Sequence, residues 1–194
     1  MFLLNLNPIL KFSHRTRKRL LGIFAASTFI LFVYISILDF PLKTTASPNG
    51  IVSFELARTF EQSQKILSSW NHQAKLSAIK SLVVDYLFLI SYSFFFAFLI
   101  FKTSENFIGK KNGLVSLGIV FGWLQFVAAI FDAFENYFLL RLLFGSQNEL
   151  FSSLAFYFAS VKFILIILGI IYIVFGAILF LSKKFNYTTN KEKT

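Results

Sequence analysis

The chain has 194 residues, 56% of them hydrophobic and 14% charged, with a mean hydropathy of +0.69, and such a composition excludes an ordinary soluble domain. With no cysteine, disulfides, thiolate metal sites and cysteine nucleophiles are excluded too. The formal charge of +10 flanks the apolar runs, which argues for orientation in a membrane and against nucleic acid as a partner.

Residues 1–19 join an apolar decapeptide, interrupted by Pro8, to the basic residues Lys11, Arg15, Arg17, Lys18 and Arg19. This reads as a short interfacial stretch and a cytoplasmic basic segment. Residues 20–38 are an uncharged run too long for a signal-peptide core, and so a retained first span ended by Asp39 and Pro41. The connection 39–81 holds a turn cluster at Ser47-Pro48-Asn49-Gly50. Beyond it, Val52, Leu56, Phe60, Leu67, Trp70, Ala74 and Ala78 recur at near-helical spacing. That spacing predicts an amphipathic outer segment over 51–79, broken near Asn71-His72, with Trp70 as an interfacial anchor. Glu55 and Arg58, three apart, either pair with each other or reach the third span.

The second span, 82–101, carries Asp85 near its start and Tyr92 one heptad later. A basic loop with Lys102, Lys110 and Lys111 leads to the third span, 114–144, which places Asp132, Glu135 and Asn136 on one helical face and Arg141 closer to its end. After a polar turn at 145–149, the fourth span, 152–181, holds a single charge, Lys162. Residues 182–194 are polar and read as a disordered cytoplasmic tail. The fold class is thus all-α: a polytopic membrane protein whose 20–181 domain is a four-transmembrane-helix bundle with an amphipathic helix in the first outer connection. The segments 1–19, 102–113 and 182–194 carry twelve Lys and Arg against five in 39–81, which places both termini in the cytoplasm and the chain in the cell membrane.

Ionisable groups inside a span cost several kcal/mol unless they meet a partner or water. Counted at about 1.5 Å per residue from the cytoplasmic edges, Asp85, Asp132 and Lys162 lie at depths of about 24, 27 and 28 Å. Three helices therefore bring charges to one level near the outer leaflet. Gly118-x-x-x-Gly122 in the third span and Lys162, Gly169 and Gly176 at intervals of seven in the fourth predict that these two helices pack through their glycines. That register aims Lys162 at Asp132 and Glu135. The candidate cluster is Asp85, Asp132, Glu135, Asn136 and Lys162, with Glu55, Arg58, Tyr92 and Arg141 as contributors.

Phosphate-loop, nucleophile-elbow and metalloprotease motifs are absent, as are glycine-rich cofactor fingerprints. His14 and His72 are too scattered for a metal cage, so the sequence implies neither cofactor nor metal. The 28 phenylalanines fit lipid-facing positions as well as an aromatic pocket. Glu55 within SFEL, Trp70, the start of the second span at Asp85-Tyr86-x-Phe88, Asp132-x-x-Glu135-Asn136 and Lys162 carry a resemblance over most of 50–165. In these features the chain resembles a group of small, uncharacterised bacterial four-helix integral membrane proteins. The resemblance implies four helices and no particular activity.

Three functions suit such a cluster. It is a structural network that fixes helix assembly, with a membrane-protein partner or as a homo-oligomer. Alternatively it is a lipid or small-amphiphile site, or an enzyme using one carboxyl as acid and another as base. The third is proton-coupled transport through Asp132 and Glu135, for which the inner half offers only Ser93, Gln125 and Tyr172 as polar groups.

Overall fold

In a computed structural model, residues 7–109 and 112–191 are described, with side chains as far as residue 182. Lys110, Lys111 and most of the apolar decapeptide lie outside the described residues. Helix α1 spans His14–Asp39, α2 Ile51–Glu55, α3 Phe60–Ser69, α4 His72–Glu105, α5 Asn112–Leu143 and α6 Leu150–Lys191. The described residues contain no strand. Four of the helices, α1, α4, α5 and α6, are long and apolar enough to cross a membrane.

Local chemistry sets the helix ends. Ser13, Thr59 and Asn71 each accept a hydrogen bond from a first-turn amide of α1, α3 and α4, which satisfies donors that no helix can pair internally. Pro41 lies in a tight turn at Phe40–Leu42 directly after α1. At the end of α5, Gly145 takes φ +87°, its amide bonds the Leu142 carbonyl, and the Ser146 amide bonds that of Arg141. This pair of bonds is a Schellman cap, which favours glycine because the backbone is left-handed there. α6 runs on past 181 to Lys191, so the expected tail begins as helix, with no glycine or proline to stop it.

Helices α4, α5 and α6 pack together as the core of the bundle, and α1 lies against α4. No residue of α1 is buried. It is held by the stacked rings of Phe24 and Phe94, 4.8 Å apart, and by hydroxyl–hydroxyl hydrogen bonds that link Ser91 with Ser27 and Thr28. In lipid, where apolar contact gives little preference for one helix over another, such hydroxyl pairs and close packing supply the attraction.

The 51–79 pattern resolves differently from its expected form. The chain breaks at residues 56–59 as well as near Asn71, and residues 72–79 form the first turns of α4. One helical phase therefore does not carry through the segment. In α2 the buried residues are Ile51, Phe54 and Glu55, while Val52 and Leu56 are exposed. In α3, Ile66 and Leu67 face inward. Trp70 sits between them and the bundle, 5.4 Å from Phe54, and donates its ring N–H to the Leu42 carbonyl at 2.8 Å and to Ser47 Oγ at 3.0 Å. Leu42, Phe54, Trp70, Ala78, Leu82, Leu139 and Leu142 share one core. That core seats α2 and α3 across the ends of the long helices.

The glycines also divide their work differently. A Cβ on Gly118 would meet Tyr172 of α6 and Ser104 of α4, and one on Gly169 would meet Gln125 of α5. Gly122 and Gly176 instead make room for Phe101 and Thr103 of α4. The expected α5–α6 glycine seam is thus half an α4 seam, because α4 fills the groove between the other two.

A candidate functional site: one lysine among three carboxyls

The cluster forms where α2 reaches the side of the bundle. Asp39 at the end of α1 accepts a hydrogen bond from the Ile51 amide at 2.6 Å. Gly50 makes this approach possible, since its φ is +58° and any Cβ would strike the Asp39 carboxylate. The short helix so anchored turns Glu55 into the bundle, where it is 7% exposed.

From α6, Lys162 Nζ donates to Asp132 Oδ1 at 2.7 Å. It lies equally close, 2.7 Å, to Glu135 Oε2, and 3.7 Å from Glu55 Oε2. Asp132 is satisfied on both oxygens, because the Tyr92 hydroxyl donates to Oδ2 at 2.9 Å. Asn136 Nδ2 donates to Asp85 Oδ2 at 2.7 Å, so Asp85 joins through Asn136 and makes no ion pair with Lys162 among the described residues. The expected pairing of Lys162 with Asp132 and Glu135 is present. Glu135, fully buried, is the least satisfied member. Its contact with Nζ is an ion contact off the hydrogen-bonding direction, and Oε1 meets no donor among the described residues.

Charge counting leaves an imbalance. One ammonium faces the carboxyls of Glu55, Asp132 and Glu135, with Asp85 one side chain further on. Burial pushes the Glu55 carboxyl above its ordinary value of 4.5, with Lys162 pulling it back and Asp132 adding to the rise. Lys162 occupies the point on which the carboxyls converge, and no group of His, Asp or Glu among the described residues is arranged to hold a metal ion.

Two anticipated contributors stand elsewhere. Arg58 makes no ion pair with Glu55; its guanidinium lies over the Phe156 ring at 5.8 Å. Arg141 is exposed and lies over Phe151 at 5.9 Å. A stop in helix α2 just after Glu55 sends Arg58 outward, and the helical phase turns Arg141 away from Asp132. Two contacts were not legible in the chain: Tyr86 donating to the Ala133 carbonyl at 3.1 Å, and Arg17 pairing with Glu105 at 2.8 Å. Both join residues distant in sequence with no periodicity to link them. Towards the other end of the bundle, Ser93, Gln125 and Tyr172 each donate to a backbone carbonyl, of Ile90, Leu165 and Leu114 respectively, rather than to the cluster. No known protein family, no curated protein and no solved structure matches this chain.

Proposed function

We propose that the chain is a multi-pass protein of the cell membrane with both termini in the cytoplasm, and that its polar cluster is an assembly element. In this reading Lys162 fixes the packing of α5 on α6 and fastens α2, with the amphipathic α3 beside it, over the outer end of the bundle. The surface so shaped serves a membrane-protein partner or a second copy of the chain. One observation carries the reading: Lys162 holds carboxyls from α2 and α5 at once. Ion networks of this kind add little net stability but penalise every arrangement that separates their members.

The test is native mass spectrometry of the protein extracted with its own lipids. A stoichiometric protein partner or a dimer supports the proposal, and a bare monomer with the cluster intact overturns it. Topology is tested separately, since the chain has no native cysteine. In intact cells Asn49→Cys and Gln147→Cys react with an impermeant reagent, whereas Asn112→Cys and Thr189→Cys stay unlabelled. Labelling at either of the last two reverses the orientation.

A second reading is favoured by the surplus of carboxyls. Glu135, whose buried carboxyl oxygens accept no hydrogen bond, beside the fully bonded Asp132 gives two carboxyls in unlike settings, as an acid and a base require, and suits a lipid or small amphiphile. Retention of one lipid species, lost in Glu135→Gln, would favour it. Transport draws less support, because the polar side chains towards the cytoplasmic half are bonded to backbone.

A further inference from the structure

At the end of α4 remote from the cluster, the start of α1 and the last turn of α4 enclose a cavity of about 180 Å³. Its walls differ in character. Ile9, which is buried, Leu21 and Phe98 make an apolar side. Arg17, Lys18 and Lys102 line it with cations. Arg17 is fully engaged: it donates to Glu105 Oε1 at 2.8 Å, to the Phe12 carbonyl at 2.9 Å and to the Leu10 carbonyl at 3.2 Å. These bonds fix the turn at Pro8–Lys11 against α4 and neutralise Glu105. Lys18 and Lys102 are left, one from each helix, with no ion pair or hydrogen bond among the described residues.

We propose that this cavity binds the phosphate of an anionic lipid, the headgroup between Lys18 and Lys102 and the glycerol end of the chains against Leu21 and Phe98. A water takes about 30 Å³ of liquid, so the cavity admits a phosphate group and the atoms next to it, not a whole lipid. Lys18 and Lys102 lie near the ends of two helices long and apolar enough to span a membrane, and basic pockets between such helices recognise phosphate headgroups. The apolar wall separates a lipid from free phosphate, which has nothing to place there. The inference rests on the four spanning helices and is independent of the role proposed for Lys162.

Native mass spectrometry in detergent, with dioleoylphosphatidylglycerol or dioleoylphosphatidylcholine added, tests it. The wild-type chain retains phosphatidylglycerol over phosphatidylcholine. Removing each lysine weakens retention about fivefold, and Lys18→Ala with Lys102→Ala about 25-fold. Both side chains are exposed, so the fold survives, and the double arginine variant keeps the lipid. Equal retention of the two lipids, or unchanged retention in the double alanine variant, overturns the proposal. Displacement of phosphatidylglycerol by millimolar inorganic phosphate assigns the site to the free anion instead and overturns it as a lipid site.

Discussion

Replacing Lys162 by methionine keeps most of the volume and apolar contact of the side chain and deletes the one cation of the cluster. Three carboxyls then face one another, two of which had Nζ at 2.7 Å and one at 3.7 Å. Breaking a buried ion pair from one side costs about 3–5 kcal/mol, because the partner stays buried and uncompensated. Asp132 keeps its bond from Tyr92, which sets the expected loss at about 3 kcal/mol. The assay is unfolding in mixed micelles by titrated dodecyl sulfate, followed by the fluorescence of Trp70 and Trp123. Asp132→Asn and the double variant complete a cycle. For groups in contact, the double change costs less than the sum by about 0.5–3 kcal/mol. Additivity within about 0.5 kcal/mol would refute the contact.

Three further outcomes follow from named contacts. Burial raises the Glu55 carboxyl above 4.5, so the folded state binds its proton more tightly than the unfolded chain; that contribution to stability is complete below pH 4.5 and is lost as pH rises through the raised value. Glu55→Gln therefore flattens the fall of unfolding free energy above pH 4.5, and an unchanged slope counts against a buried, proton-holding Glu55. Trp70→Phe removes the donor to Leu42 and Ser47, while Ser47 Oγ still donates to the Leu42 carbonyl at 2.6 Å. The cost is about 1 kcal/mol, read as faster hydrogen exchange across Phe60–Ser69; equal exchange would detach α3 from Trp70. Gly122→Ala drives a methyl into the Phe101 ring and loses about 1–3 kcal/mol, whereas Gly22→Ala, with nothing within 4 Å, gains up to about 1 kcal/mol from helix propensity. Equal effects at the two glycines would contradict the α4–α5 packing.

Much of the site was written in the chain because its physics is local. An uncharged run long enough to cross a bilayer specifies a spanning helix wherever it occurs. The 3.6-residue period puts Asp132, Glu135 and Asn136 on one face without reference to any neighbour. Rise per residue then brings Lys162 to the same depth, and a lone cation in an apolar helix has few alternatives to the carboxyls at its level. The choice among neighbours belonged to the tertiary structure. Whether Gly122 faces α6 or α4 depends on which helix fills the groove, and Phe101 decides it. Whether Glu55 or Arg58 turns inward depends on how α2 is seated and where it stops; Asp39 anchors its start at Ile51, and the core around Phe54 and Trp70 holds its inner face. Arg17 meets Glu105 across 88 positions of sequence only because α1 lies along α4. Periodicity fixes the face a side chain occupies; packing fixes what that face meets.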